Sequence, residues 1–342
     1  MNEELRQATS EGYKLEKKDL DKLLNTLRKY GEIIAPKQNG KWLRMEKVKE
    51  ASEITLNGIS WFTSKKYIFP EKQTLFTFDG ENTKKYNYFP KRVLFGLRMC
   101  DLNAFHVNDK LFLEQKPANH NYEKFRQNLT LVGLFCNTEQ DKYCFCDSLK
   151  LKHLYDLCLF DKGSHYHIKS ASVKGDEILE ALKLTHKENH WQEMPKCTMQ
   201  LSTTNIRKFY ENEMWKSGSD DCLSCGDCTT LCPTCLCFDV QDEVNLDLKS
   251  GTRFAKWDSC MYKHFTLVAG GHVYRNNRIN RFKHRIYHKF DYFARKFEGE
   301  SMCTGCGRCI RGCPNKIDWI AIVNKMNIKS FGMEEDGRRE VK

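Results

Sequence analysis

Apolar positions in the first half of the chain fall into short runs of helix or strand length. Apolar residues at helical spacing begin at Leu20 and stop at Gly31, which predicts one helix. Polar segments that carry glycine or proline separate the other runs, as is typical of strands. We predict strands at 41–45, 74–78, 92–97, 129–135 and 156–160, and a second helix at 176–187. Residues 1–190 are therefore predicted to form an α/β domain.

From about residue 198 the pattern changes to helices interrupted by runs of cysteine. Ile206, Phe209 and Met214 recur at helical spacing and predict a helix that leads into the first cysteine run. Helical patterns lie on both sides of each run, so residues 198–330 are predicted to form a second, α-helical domain. The last residues, 331–342, are predicted to be a polar tail.

The composition restricts the compartment in which the 17 cysteines have to be explained. No run of about 18 apolar residues is present to span a bilayer. The charged N-terminus lacks the apolar stretch of a secretory signal. These features predict a cytoplasmic protein with no membrane partner. Thiols in a reducing compartment indicate metal or redox chemistry rather than disulfides.

Eight of the cysteines form two matching runs, CLSCGDCTTLCP (222–233) and CTGCGRCIRGCP (303–314). Both fit C-x₂-C-x₂-C-x₃-C-P, in which three cysteines wrap one 4Fe–4S cluster and the fourth ligates the other cluster. A zinc site would instead use two ligand pairs with a longer spacer. We predict two 4Fe–4S clusters in crossed ligation. One set is Cys222, Cys225, Cys228 and Cys313, and the other is Cys303, Cys306, Cys309 and Cys232.

The spacing between the two runs distinguishes the chain from small ferredoxins, because 70 residues separate Cys232 from Cys303. Together with the helical patterns around both runs, this spacing indicates an α-helical ferredoxin-like module. The predicted fold class is α+β: an N-terminal α/β domain followed by an α-helical ferredoxin-like 4Fe–4S dicluster domain.

Four cysteines of the N-terminal half form a looser set. Cys100 and Cys136 each follow a predicted strand, and Cys144 and Cys146 would share one face of an extended segment. Four thiolates at one sheet edge could hold a third 4Fe–4S cluster or a zinc ion. The spacing follows no strict ligand rule, so structural thiols are an equal alternative. Two further cysteines, at 158 and 197, are interpreted as bystanders.

Cys235, Cys237 and Cys260 form another loose set, close in sequence to the first run or in the motif WDSC. Packing around the cluster domain is one interpretation of these thiols. Redox contact with a neighbouring centre, or extra ligation of it, is the other.

The positive charge is concentrated in the spacer between the runs. Residues 251–300 hold 11 Lys or Arg and 4 Asp or Glu, a net charge of +7 out of +11 for the chain. A solvated helix face is one interpretation of the basic segment 275–290. Stabilisation of reduced clusters or docking of an acidic redox partner is the second. Nucleic-acid binding is the third, although no nucleic-acid-binding motif accompanies the charge.

Several segments occur in the order found in one known family: VLFGLRMCDLNAF (93–105), CPTCLCFDV (232–240), WDSCMYKHF (257–265) and the second cysteine run. In these segments the chain resembles the iron–sulfur β-subunit family of cytoplasmic NiFe sulfhydrogenases, to which an iron–sulfur component of anaerobic sulfite reductase also belongs. The resemblance covers roughly residues 60–325. It implies a protein that relays electrons between a catalytic hydrogenase or sulfite reductase subunit, on one side, and a flavin/NAD(P) subunit, on the other.

Our leading hypothesis is therefore a non-catalytic electron-transfer subunit with two 4Fe–4S clusters and room for a third. It expects no nucleic acid or membrane among the partners. A sulfur-compound reductase with a thiol site at Cys144 and Cys146 is the alternative enzyme hypothesis. An iron–sulfur sensor that binds nucleic acid through the basic segment is the third hypothesis.

Overall fold

The structure is a computed structural model that describes residues 11–190 and 192–337. Within these ranges the chain divides into two compact units. Unit 1 takes the residues up to Asp141, then Lys150–Lys196 and Val240–Lys256. Unit 2 takes Lys142–Leu149, Cys197–Asp239 and the residues from Trp257 onward. The sequence predicts a single boundary near residue 198, whereas segments 142–149 and 240–256 each join the other unit.

Unit 1 is built on an eight-stranded sheet with the strand order β10-β1-β9-β8-β7-β6-β2-β3. Its four central strands, β2, β6, β7 and β8, are parallel, and the outer strands pair antiparallel. The strands of this sheet are β1 (Glu11–Glu16), β2 (Glu32–Asn39), β3 (Trp42–Lys47), β6 (Arg92–Leu97), β7 (Leu129–Leu134), β8 (Leu157–Asp161), β9 (His165–Ser170) and β10 (Lys187–Asn189).

Helices cover both faces of this sheet. The helices of unit 1 are α1 (Leu20–Leu27), α2 (Met99–Phe112), α3 (His120–Gln127) and α4 (Val173–Leu182). Apolar residues of α1 and α4 share one buried core with Val132 and Leu134 of β7. Leu102 of α2 lies against Gly133, which stands between Val132 and Leu134 in β7. Because neighbouring residues of a strand point to opposite faces, α2 covers the other face of the sheet. Parallel strands buried on both faces are expected to be continuously apolar, as these are.

A second sheet of four strands has the order β11-β12-β4-β5. It joins β4 (Lys72–Asp79) and β5 (Asn82–Lys85) to β11 (Phe238–Val244) and β12 (Ser250–Trp257). The hairpin of β11 and β12 interrupts the cysteine-rich half of the sequence. The sequence does not predict this hairpin, because β11 is largely exposed and its residues are mostly polar, so the alternation of apolar and polar residues typical of a strand is weak.

The strand predictions are confirmed, whereas the helix predictions are confirmed only in part. The five predicted strands are β3, β4, β6, β7 and β8. The helix predicted at 176–187 begins earlier, because Ser172 Oγ accepts the N–H of Gly175 at 3.0 Å as an N-cap. It ends at Leu182, because Lys183 adopts a left-handed conformation with φ 52°. Helix α2 was missed because it is buried on most of its surface and shows no amphipathic period.

The regular elements of unit 2 are mainly helices. Its helices are α5 (Trp215–Asp220), α6 (Asp227–Thr230), α7 (Arg278–Tyr287), α8 (Phe293–Lys296), α9 (Arg308–Arg311) and α10 (Trp319–Gly337), with a π-helical turn at His288–Tyr292. The helix predicted around 206–214 is only a 3₁₀ turn, Arg207–Phe209, followed by α5. Asn212 Oδ1 accepts the N–H of Met214 at 2.9 Å, which gives the backbone an alternative to the helix ladder.

Helix α10 continues to Gly337, into the segment 331–342 for which the composition predicts a polar tail. Residues 338–342 of that segment lie outside the described residues. None of the helices in the described ranges is both long enough and apolar enough to cross a lipid bilayer.

Candidate iron–sulfur site

The two cysteine runs fold alike. Helix α6 begins directly after Gly226, with φ 83°, and α9 begins directly after Gly307, with φ 68°. Only glycine adopts this left-handed conformation without a steric cost. Each glycine follows the second cysteine of its run, and each one-turn helix then carries the third. The repeated sequence motif therefore produces a repeated local structure.

The short helices of the two runs lie against each other in unit 2. A Cβ added at Gly312, after α9, would collide with the side chain of Leu231, after α6. This close approach brings the ends of the two runs, each just before its fourth cysteine, next to each other.

A pocket in unit 2 is lined by cysteines from both runs. Cys222, Cys225 and Cys228 come from the first run, and Cys309 and Cys313 come from the second. Four of these five form the set predicted from the sequence for the first cluster, and Cys309 belongs to the set predicted for the second. Ser224 donates its backbone N–H to Cys222 Sγ at 3.4 Å. Hydrogen bonds of this kind are typical around cluster thiolates and tune their potential.

The remaining motif cysteines are also neighbours. Burial raises the pKa of Cys303 to about 12 and that of Cys306 to about 11. Repulsion from Cys232 and Cys309 contributes to both shifts, because a second thiolate nearby opposes ionisation. The interactions place Cys303, Cys306, Cys309 and Cys232 near one another, as the ligands of one cluster have to be. The donor set therefore fits a second cluster.

Two comparisons with known proteins bear on the cysteine-rich part of the chain. The family model for a 4Fe-4S dicluster domain matches residues 221–317, the segment that holds both runs. The β subunit of sulfhydrogenase 2 from Pyrococcus furiosus is 29% identical to the chain over 332 residues, covering 92% of this chain and 97% of that subunit. The chain is thus similar to an iron–sulfur β subunit over almost its whole length. No solved structure matches it.

Both comparisons support an iron–sulfur electron-transfer role for the chain, and the resemblance drawn from the sequence is confirmed. The relative is named as one subunit of a sulfhydrogenase, so it works with other chains. The match spans nearly the full length of both chains, which means that the N-terminal unit is part of the similarity as well as the cluster unit.

Buried cations of unit 2 surround the motif cysteines. Arg285 is 5% exposed and donates from Nη2 to the carbonyl of Cys228 at 3.2 Å. Lys289 is 3% exposed and donates from Nζ to Thr234 Oγ1 at 3.0 Å. Burial lowers the pKa of each cation, yet attraction to nearby cysteine thiolates outweighs it and raises the pKa overall. Both side chains therefore stay charged beside the site.

The interpretation of segment 275–290 as a solvated helix face is wrong for its central cations. The four cationic side chains at 281, 283, 285 and 289 are all buried. Buried positive charge needs negative charge nearby, and two of these cations have cysteine thiolates as neighbours. Their burial also keeps them from presenting a basic face to phosphates. The arrangement favours the interpretation in which the segment offsets cluster charge.

Two of the N-terminal thiols belong to unit 1. Cys100 lies in the first turn of α2, just after β6, and Cys136 follows β7. The two strands are adjacent and parallel, so both cysteines lie at the same edge of the sheet, as the sequence predicts. Burial raises the pKa of Cys136, while the Arg98 guanidinium lowers it. Cys158 in β8 is a further neighbour of Cys136.

The other two N-terminal thiols belong to unit 2. Cys144 and Cys146 lie on segment 142–149, which packs in the loop of the second cysteine run. Phe145 donates its N–H to the carbonyl of Gly305 at 2.9 Å. Cys146 Sγ lies 3.9 Å from the Sγ of Cys197, a residue that the sequence gives no reason to select. Cys197 lies 51 positions away along the chain, and no local spacing signal connects the two.

Within residues 11–190 and 192–337, no group of three or more His, Cys, Asp or Glu side chains is arranged to hold a single metal ion. In a tetrahedral zinc site the sulfur atoms are about 3.8 Å apart, because the Zn–S bond is about 2.3 Å long. In a cubane each thiolate binds a different iron, so the sulfur atoms lie farther apart. The absence of such a group in the described residues therefore concerns sites for a single metal ion and does not exclude 4Fe–4S clusters at the paired motifs.

The third set of thiols packs beside the first run. Cys235 and Cys260 are buried and Cys237 is partly exposed. A hydrogen bond between Cys260 and Cys237, together with burial, raises the pKa of Cys260 well above its usual value. A hydrogen bond with Cys232 does the same to the pKa of Cys235. Cys235 thus touches a predicted cluster ligand.

Gly305 provides a test of the contact between segment 142–149 and the cluster loop. Its φ is +68°, and an added Cβ would lie 2.6 Å from the backbone nitrogen of Cys146. We expect Gly305→Ala to lower the free energy of unfolding by about 2–4 kcal/mol, through left-handed strain and overpacking together. We also expect the iron content to fall by about half, because the second cluster loop is displaced. Denaturant unfolding and iron analysis measure both effects.

Gly299→Ala is the matched control. Gly299 also has a left-handed conformation, with φ +80°, but nothing lies within 4 Å of its added Cβ. Strain alone should cost about 1 kcal/mol and leave the iron content unchanged. Equal losses of iron in the two variants would contradict the packing argument.

Proposed function

We propose that this chain is an electron-transfer subunit that holds two 4Fe–4S clusters and relays electrons between a catalytic partner of hydrogenase or sulfite reductase type and a flavin/NAD(P) subunit. The proposed ligands are crossed between the runs: Cys222, Cys225, Cys228 and Cys313 for one cluster, and Cys303, Cys306, Cys309 and Cys232 for the other. No residue of this chain is proposed to be catalytic, and a cytoplasmic location is expected.

The observation that carries the proposal is the pocket in which Cys222, Cys225 and Cys228 lie with Cys313. Three thiols of the first run and two of the second, Cys309 and Cys313, line this one concave site, and crossed ligation assigns Cys313 to it. The ligation pattern of two-cluster ferredoxins is crossed in this way. Similarity to a named sulfhydrogenase subunit supports the assembly part of the proposal.

A 4Fe–4S cluster supplies one-electron chemistry in which the charge spreads over iron and sulfur, so that little reorganisation accompanies transfer. The protein residues do the rest. The thiols fix the position of each centre, and the backbone N–H of Ser224 stabilises negative charge on Cys222 Sγ. Arg285 and Lys289 supply buried positive charge that compensates the anionic centres, since a cluster with four thiolates carries about −2 when oxidised and −3 when reduced.

The iron content tests this proposal. The full-length chain, reconstituted without oxygen, should bind about eight iron atoms and about eight inorganic sulfides, and dithionite should produce EPR signals of two interacting reduced clusters. A third cluster at Cys100, Cys136, Cys144 and Cys146 would instead give about twelve iron atoms. One zinc ion with no iron would contradict the electron-transfer function.

The relay itself is tested by reconstitution with the neighbouring subunits. Electrons from reduced nicotinamide should reach the clusters of this chain only when the flavin subunit is present. Stopped-flow bleaching of the cluster absorbance measures this transfer. Direct reduction of this chain by nicotinamide without a flavin subunit would contradict the proposed partner.

A further inference from the structure

The thiols of Cys146 and Cys197 lie side by side in unit 2, with their sulfur atoms 3.9 Å apart. Cys146 is 8% exposed and Cys197 is 6% exposed, so neither is open to a bulky reagent. A disulfide requires the sulfurs to approach to about 2.05 Å. The two thiols are therefore in contact in this structure but not bonded, which is the arrangement that precedes a disulfide.

Hydrogen bonds hold the two cysteine segments together. The Cys197 N–H donates to Asp147 Oδ2 at 3.0 Å, and Gln200 Nε2 donates to the same oxygen at 2.7 Å. Ser148 Oγ donates to Gln200 Oε1 at 3.0 Å and accepts the N–H of Leu201 at 3.0 Å. The two residues that follow Cys146 in the sequence, Asp147 and Ser148, therefore both bind the segment that carries Cys197. This network fixes the two thiols in register before any bond forms between them.

The same segment contacts the loop of the second cysteine run. Phe145, the residue before Cys146, donates its N–H to the Gly305 carbonyl at 2.9 Å. Gly305 lies between Cys303 and Cys306, two of the proposed ligands. Because Gly305 has no side chain, the backbone of Cys146 approaches it directly. The path from the cluster loop to the dithiol is one hydrogen bond and a few covalent bonds.

We propose that Cys146 and Cys197 form a redox-active dithiol that exchanges electrons with the iron–sulfur centres of unit 2. The inference rests on the clusters of the proposed function and adds a two-electron site to them. Burial favours an internal partner, because no external thiol or substrate can reach the sulfurs easily. The adjacent cluster loop is the redox partner in direct contact with the segment.

The electron balance of the step is complete. Oxidation breaks two S–H bonds and forms one S–S bond, and two protons leave to solvent. The two electrons released reduce two oxidised 4Fe–4S clusters by one electron each. In the reverse direction two reduced clusters and two protons regenerate the dithiol. The site would thus store an electron pair beside centres that each carry a single electron, which suits exchange with a two-electron donor such as a flavin or nicotinamide.

The test uses the full-length, cluster-loaded chain as wild type and as Cys146→Ser, Cys197→Ser and Cys158→Ala. The last variant is the control, because Cys158 is a buried thiol in β8 of unit 1 and is not part of the pair. Each sample is oxidised by a stoichiometric dye and then reduced coulometrically. Oxidised samples are also alkylated and digested without reductant for mass spectrometry.

We expect wild type and the control to take up about four electrons per chain, two for the clusters and two for the disulfide. Cys146→Ser and Cys197→Ser should take up about two, with about eight iron atoms in all four proteins. A peptide pair linked through Cys146 and Cys197 should occur in oxidised wild type and should be missing when either cysteine is replaced.

Uptake of the same number of electrons by wild type and Cys197→Ser, without a linked peptide, would overturn the dithiol while leaving the clusters intact. A loss of about four iron atoms in Cys197→Ser would overturn it as well, since Cys197 would then be a cluster ligand. A chain that binds no iron would overturn the proposed function itself, and the iron analysis reveals this before the thiols are assayed. Should Cys146→Ser disturb the loop at Gly305, the Cys197→Ser variant still decides.

Discussion

Cys313→Ala is expected to remove the same cluster as Cys222→Ala, although the two cysteines belong to different runs. Either change should lower the iron content from about eight to about four atoms. Both variants should retain the same residual EPR signal, that of the cluster beside Cys303. The physical reason is that Cys222 and Cys313 line one pocket, so that loss of either leaves the same centre with three ligands.

The reciprocal pair is Cys303→Ala and Cys232→Ala, which should share the other residual signal. Cys235 lies in hydrogen-bond contact with Cys232 and could replace it as a ligand. The double variant Cys232→Ala/Cys235→Ala removes this alternative ligand. Cys260→Ala serves as a control for a buried thiol of the same unit and should retain both signals. If Cys313→Ala instead resembled Cys303→Ala, ligation within each run would be established and the crossed assignment abandoned.

Lys289→Gln is expected to make the reduction potential of one cluster more negative by roughly 50–120 mV. A unit charge within several ångströms contributes about 1–3 kcal/mol at an effective dielectric constant near 20, and about 1.4 kcal/mol corresponds to 59 mV for one electron. Lys289 is buried and interacts with Cys232 and Cys303, so its charge stabilises the reduced, more anionic centre. An EPR-monitored redox titration measures the shift.

Lys283→Gln is the matched control on the preceding helix. Lys283 is also buried, but its ammonium donates to the carbonyl of Tyr210 at 2.9 Å and lies 4.2 Å from the centroid of that ring. Its loss should reduce stability and leave both potentials nearly unchanged. Lys289→Arg keeps the charge and should restore the potential of the wild type. Equal shifts in Lys283→Gln and Lys289→Gln would show that general loosening, rather than local charge, sets the potential.

Much of unit 1 could be predicted from the sequence because its signals are local. Five strand runs were identified because turn residues separate them, and three of them, β6, β7 and β8, are buried parallel strands with nearly continuous apolar residues. The hairpin of β11 and β12 was not predicted. Its alternating residues are mostly exposed and polar, and its pairing with β4 joins positions that are far apart in the sequence, such as Asp79 and Ser250. The periodicity of residues within a short segment does not indicate which distant segment will pair with it.

The basic spacer illustrates a second limit. The sequence shows that residues 275–290 are cationic and aromatic, which is equally compatible with a solvated face, a binding surface or a buried counter-charge. Burial of Arg285 and Lys289 beside thiols separates these alternatives. Charge and aromaticity are properties of single residues, whereas burial is a property of everything that packs against them.

The sequence by itself determined the eight motif cysteines, the chemistry that their spacing favours and the glycines of the two loops. Those signals lie within each short run and act through local geometry. Only the tertiary structure decided that Cys146 meets Cys197 and that segment 142–149 meets the loop at Gly305. These contacts join distant parts of the chain through packing, and the spacing of cysteines along a sequence carries no information about the path that the intervening residues take.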